Sequence, residues 1–183
     1  MNRAIRFSTF LLIMASALIV RFPQFANAGA IELIAAAEKG DIPAIKAELG
    51  RGVDVNARSK YGATAIMGAA VKGHAGALEF LLGKGAKVNA QNKYGGTALM
   101  GASLNGYNGA AEVLLKNGAK VNMRDNRGDT ALIWAAREGR TEVVKLLLTS
   151  RANVNIKNLD GYTALGLCLH PDTRKVLLNA GAR

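Results

Sequence analysis

Cysteine occurs once in the 183-residue chain, at Cys168, and histidine twice, at His74 and His170. A single cysteine excludes an intramolecular disulfide, so the folded state has to be held by packing. No HExxH, CxxC or nucleophile-elbow pattern is present, which removes the common zinc, redox and acyl-transfer signatures from consideration. Gly83-Lys84 is followed by Gly85 rather than by Ser or Thr, so the pair does not make a phosphate-binding loop. Acidic residues are scarce: 13 Asp+Glu stand against 24 Lys+Arg, for a formal net charge of +11. Half of the residues are apolar, too many for a disordered chain and enough for one domain with an interior.

The apolar run FSTFLLIMASALIV, Phe7 to Val20, has 14 residues, short of the ~20 that a bilayer-spanning helix needs. Arg3 and Arg6 precede it, Arg21 and Pro23 interrupt its continuation, and Ala26-Asn27-Ala28 offers a small-x-small cleavage site. That order is the layout of a secretory signal, so residues 1–28 are expected to be removed and the mature chain to begin at Gly29. An uncleaved membrane anchor is the competing reading. The residue directly after the cleavage site is Gly29 and not cysteine, which argues against a lipid anchor. Arg3, Arg6 and Arg21 leave with the signal, and the remainder keeps a net charge of +8.

Glycine is abundant, at 21 residues, and it recurs in register. Segments beginning at Tyr61, Tyr94 and Arg127 follow one another without a gap, each 33 residues long. Gly62, Gly95, Gly128 and Gly161 share one column; Thr64, Thr97, Thr130 and Thr163 a second; Asn56, Asn89, Asn122 and Asn155 a third. Each threonine stands where a hydroxyl caps a new helix, and the alanine-rich run behind it gives that helix a face for close stacking. Gly73, Gly106 and Gly139 break the first helix. A second follows with Leu78, Leu81 and Leu82, or Val144, Leu147 and Leu148, at the spacing of one buried face. Gly85 and Gly118 are placed to end it in the left-handed conformation. Arg151 stands in that same column, as either a mildly strained helix end or a contact residue. A unit of this kind cannot bury its apolar face alone, but stacked copies share a core.

The pattern GxTAL(M/I)xAAxxG…LLLxxGAxVN resembles the ankyrin repeat, in the variant with Ala where the commonest form has Pro and Met or Ile where it has His. The match spans residues 30–183. It implies an all-α ankyrin repeat solenoid, stacked helix–turn–helix units joined by β-turn hairpin loops, with units at about 30–60, 61–93, 94–126, 127–159 and 160–183. The first unit lacks the threonine cap and puts Glu48 where later units have Leu81 or Leu114, as suits an outer face turned to water. The last keeps GYTAL, is about three residues shorter between its helices, carries Pro171 at the break and reads as a C-terminal cap.

Resemblance to this family implies partners gripped by the turn tips and the neighbouring face of each first helix. The matching tip positions are Arg58, Lys60, Tyr61 and Ala63; Gln91, Lys93, Tyr94 and Gly96; Arg124, Asn126, Arg127 and Asp129; and Lys157, Leu159, Asp160 and Tyr162. Six of these are basic and two acidic, which favours an acidic protein surface. Along the helix face the residues are Val71 and Lys72, Leu104 and Asn105, Arg137 and Glu138. The partner-binding set expected from this is Arg58, Lys60, Tyr61, Lys72, Lys93, Tyr94, Arg124, Arg127, Trp134, Arg137, Lys157 and Tyr162.

Trp134, the one tryptophan, falls in a column that holds Gly68 and Gly101 in the two preceding units. It is either a packing residue with one exposed edge or an anchor beside a shallow trough left by those glycines. His74 is read as structural at the interhelical turn, and Cys168, in the column of Ala69, Ala102 and Ala135, as a buried thiol.

The reading is therefore an exported, non-enzymatic, monomeric protein-binding module, most simply periplasmic in a bacterium, with no cofactor, no metal and no nucleic-acid partner. Its membrane contact is confined to export and weak surface association. Two alternatives stay open. One is a polyanion or membrane-surface binder using the same basic residues. The other is a metal- or haem-handling protein using Cys168 and His170, in line with the catalase and oxidative-stress links of some small exported ankyrin proteins.

Overall fold

Thr97, Thr130 and Thr163 each hold an extended backbone and accept a hydrogen bond at 3.3 Å from the amide three residues on, so each starts a helix. Thr64 has the same backbone, but its hydroxyl caps nothing and is buried without a partner. The computed structural model describes residues 23–183, with side chains from Ala28 onward. The basic start and apolar core of the expected export signal, Arg3 to Val20, lie outside the described residues.

Among the described residues there are ten helices and no strand: α1 (Pro23–Lys39), α2 (Ile42–Gly50), α3 (Ala65–Val71), α4 (Ala75–Gly83), α5 (Ala98–Asn105), α6 (Asn108–Lys116), α7 (Ala131–Arg137), α8 (Thr141–Thr149), α9 (Ala164–Leu167) and α10 (Pro171–Asn179). They pair as antiparallel hairpins, and the hairpins stack. The first helices, α1, α3, α5, α7 and α9, pack in one row, and the second helices, α2, α4, α6, α8 and α10, in another. The core lies between the rows. Ala69, Ala102, Ala135 and Cys168 fill one column of it at 2% exposure or less, and Ile45, Leu78, Leu114 and Leu147 are buried in the second-helix row. Small residues in that column let the helices approach closely, while the second-helix row supplies bulk.

Stacking is held by hydrogen bonds that repeat with the period. Each asparagine of the third column spans two units: Asn89 donates to the Gly118 carbonyl at 3.0 Å and accepts from the Lys120 amide at 2.8 Å. Asn56, Asn122 and Asn155 do the same one unit apart. A further column, His74, Tyr107, Arg140 and His170, starts each second helix and lies over the left-handed glycine that ends the preceding unit's first helix, namely Gly40, Gly73, Gly106 and Gly139. His74 and Arg140 also hydrogen-bond the carbonyls of Glu38 and Leu104, which confirms the structural reading of His74. The helix break in the last unit comes at His170 instead of three residues later, as its shortened sequence predicts.

One expectation needs correction, and one open alternative gains an answer. Glu48 does not face water: its side chain is only 13% exposed and is paired with Arg51, which carries the exposure instead. Arg151 proves to be a strained helix end, since it is the one non-glycine among the described residues at positive φ (65°), where Gly85 and Gly118 take 87° and 84°.

Two stability predictions follow from these bonds. A left-handed arginine costs about 1–2 kcal/mol, and glycine returns roughly 0.5–1 kcal/mol of that as chain entropy. Arg151→Gly is therefore expected to stabilise the domain by about 0.5–1 kcal/mol in urea melts, and a loss of stability would contradict the strain. Asn89→Ala removes two inter-unit hydrogen bonds and should cost about 1–2 kcal/mol in the same melts.

Candidate functional site

The hairpin tips are shaped by one column of short polar side chains. Ser59, Asn92, Asp125 and Asn158 each accept from the amides two and four residues on, at 2.9–3.3 Å. Such local bonds fold a turn back on itself. Each tip is then tied to the next: the amides of Lys93, Asn126 and Leu159 donate to the carbonyls of Tyr61, Tyr94 and Arg127.

This ladder sorts the expected contact residues. Lys60, Tyr61, Lys72, Lys93, Tyr94, Arg127, Lys157 and Tyr162 are exposed, with Tyr94 at 63% and the Lys60 ammonium 4.9 Å from the Tyr61 ring centre. Arg58 and Arg124 are exposed as well, but their guanidinium groups are spent on the stack: Arg58 donates to the Gln91 carbonyl and Arg124 to that of Lys157, at 2.7 Å in the second case. Gln91 repeats the role by donating to Arg124. Asp129, placed at a tip by the sequence, is fully buried. One of its oxygens accepts from Asn158 at 2.8 Å, and the other has no hydrogen bond but faces Arg137 at 3.7 Å.

Between the tips and the row of first helices lies a groove of about 320 Å³. Ile34, Met67 and Met100, equivalent residues of three successive units, line it together with Gly68 and Gly101, and Val71 and Leu104 flank them. The glycines keep the trough open: a Cβ on Gly68 would come within 3.0 Å of Glu38 Cγ, and one on Gly101 within 2.7 Å of Val71 Cγ2. Trp134 closes one end and Glu38 the other, with Tyr94 and Asp125 on the tip side.

Trp134 has room because it is held away from the wall. Its indole Nε1 donates to Asp125 Oδ2 at 3.0 Å, and Arg137 stacks on the ring with its guanidinium carbon 3.9 Å from the centre. Arg137 is itself mostly covered, at 27% exposure, and also approaches Asp129 and Glu138. The tryptophan is thus a packing residue whose free side forms a wall of the trough, which joins both halves of the sequence reading. The column of Ser59, Asn92, Asp125 and Asn158 was not singled out from sequence, although its spacing from the Gly and Thr columns was a signal for it.

Elsewhere, the Cys168 thiol is buried and its nearest polar contact is the His170 carbonyl at 3.5 Å, while the His170 ring lies over Gly139. The Lys116 ammonium is raised above the usual lysine range by its hydrogen bond to Glu112, a surface pair on α6 rather than in the groove.

A family model described as ankyrin repeats, in three copies, matches residues 33–125 and 118–183. The chain belongs to the ankyrin-repeat family. Ankyrin repeats are in general non-enzymatic modules for protein–protein interaction. No curated protein matches the chain. In this ankyrin domain the exposed tips and the groove lie on the same side of the first-helix row, because the groove is lined by both.

Trp134→Phe keeps a ring but deletes the bond to Asp125, and is expected to cost about 1 kcal/mol. Trp134→Ala also gives up the packing and the stacked arginine, and should cost about 2–3 kcal/mol. Urea denaturation followed by circular dichroism measures both, and equal stability of wild type and the alanine variant would show the ring to be idle in the fold.

Proposed function

We propose that this ankyrin domain is exported and binds a protein with an acidic surface through its hairpin tips and the groove beside them. The observation that carries the reading is the row of exposed Lys60, Tyr61, Lys93, Tyr94 and Arg127 along the hairpin tips, with Tyr94 also lining the groove. Tyr and Arg are types in which binding energy concentrates, and lysines steer an acidic partner into encounter. The net charge of +8 that remains after Ala28 acts in the same direction. Export is supported by the Arg3–Ala28 pattern in the sequence. Cleavage after Ala28 would shorten α1 at its start and leave its buried Ala30, Leu33, Ala36 and Ala37 on the mature chain.

In-cell cross-linking and capture from the exported fraction tests both halves. Intact-mass measurement of the captured protein should give a chain beginning at Gly29. One defined acidic partner is expected with wild type, and its yield should fall about ten-fold or more with Lys93→Glu, Tyr94→Ala and Arg127→Glu combined. These positions are exposed, so the variant should melt like wild type. Trp134 is left intact because it holds Asp125. Equal capture by the two proteins would remove the tips from the interface.

A further inference from the structure

The groove is not a uniform basic strip, and its chemistry selects one kind of occupant. Its lining is apolar, with Met67, Met100, Val71 and Trp134 around the two glycines. A volume of about 320 Å³ is at the lower end of the range for ligand pockets, and is large enough for one bulky side chain. On the tip side the exposed Lys93 and Arg127 neighbour the lining residues Asn92, Tyr94 and Asp125 in the chain. Asp125 lies on that side too, but each of its oxygens is already engaged, one by two backbone amides and the other by Trp134. At the end away from Trp134 the exposed Glu38 lines the trough.

We infer that the trough is an anchor pocket for a single bulky apolar side chain, such as Phe, Leu or Met, from a partner segment that carries carboxylates on the side of the anchor facing the tips. The inference rests on the protein-binding reading above and names what the partner must present. Basic tips alone would accept any polyanion. The apolar trough adds a requirement for a buried side chain, since filling it removes the exposed faces of Val71 and Trp134 from water. Glu38 adds a directional one, because a carboxylate placed at its end would meet a like charge. Met67 and Met100 give a lining that adjusts to different anchors, so the pocket sets a class of side chain rather than one residue.

The chain supplies its own reporter, for its one tryptophan lines this pocket. The probes are four synthetic eight-residue peptides without tryptophan. They have a central Phe, Leu or Ala behind an Asp-Glu-Asp flank, or a central Phe behind Lys-Lys-Lys, each with a neutral Ser/Gly second flank. Titration into wild-type protein at moderate salt, read by Trp134 emission and in parallel by calorimetry, should show the acidic Phe and Leu peptides binding about ten-fold tighter than the acidic Ala peptide. The lysine-flanked peptide should be weaker still. Val71→Glu should abolish the preference for Phe over Ala. This variant has a safe precedent in the fold, because Glu38 occupies the column of Val71 one unit earlier and Val71 is 41% exposed. A second variant, Lys93→Glu with Arg127→Glu, should abolish the preference for acidic over basic flanks and leave a preference for Phe.

Equal binding of the Phe and Ala peptides, lost on reversing Lys93 and Arg127, would overturn the pocket while leaving the tips as a site for acidic proteins. Equal binding of acidic and basic Phe peptides, or of free toluene as tightly as the acidic Phe peptide, would show a small apolar-ligand site and overturn the assignment of partner. Binding of none of the peptides would overturn the inference outright, and the in-cell capture would then decide separately whether the domain binds a protein at all.

Discussion

The hydrogen bonds that cross from one unit to the next set the register on which the rest of this molecule depends. A single asparagine side chain in each unit satisfies a carbonyl and an amide of the following one, and a tip amide of each unit reaches the tip carbonyl of the unit before. These contacts admit no slippage, because a shift by even one residue would unpair every rung together. Once the register is fixed, equivalent residues line up in space as they do in sequence. Ile34, Met67 and Met100 then form a continuous lining, and the alanine column forms a continuous core. Fold and surface are both consequences of the same translation.

Function enters through departures from that translation. A perfectly repeated array would present the same residue at every step along its edge, with nothing to tell one site from another. Here one column reads glycine, glycine, tryptophan, and the turn-forming column carries an acid only at Asp125. The two departures meet, since the indole bonds that acid. Together they turn an open furrow into a trough closed at one end. The scaffold permits this because each unit touches only its neighbours, so an exception in one place does not propagate.

Much of this was legible in the sequence. The period, the ends of the helices, the threonine caps at Thr97, Thr130 and Thr163 and the short last unit all follow from rules that act within a few residues. Even the trough was visible as a column of glycines beside a tryptophan. What local rules could not supply was the sorting of charged residues at the tips. Arg58 and Arg124 look free in sequence, yet carbonyls of the next unit occupy them. Asp129 looks like a surface acid, yet Asn158 of the next unit and Arg137 of its own cover it. In each case the deciding partner stands some thirty residues away or on the far side of a turn, and its orientation is set by stacking. Arg151 shows the reverse: its column alone marked it as anomalous, and the backbone angle shows the strain.

The bond between Trp134 and Asp125 joins a loop to a helix, and that has a mechanical consequence. Asp125 holds the turn amides of its hairpin with one oxygen and the α7 tryptophan with the other, while Arg137 clamps the ring from behind. A pull on this tip therefore does not stop at a compliant loop; it is borne by the body of α7 and by the units stacked on either side. The tips built on Ser59 and Asn92 have no such side-chain strut, while that of Asn158 is tied instead to the buried Asp129 of the unit before. The Asp125 hairpin is the one braced directly on a first helix, and a partner held there would feel the whole stack as its support.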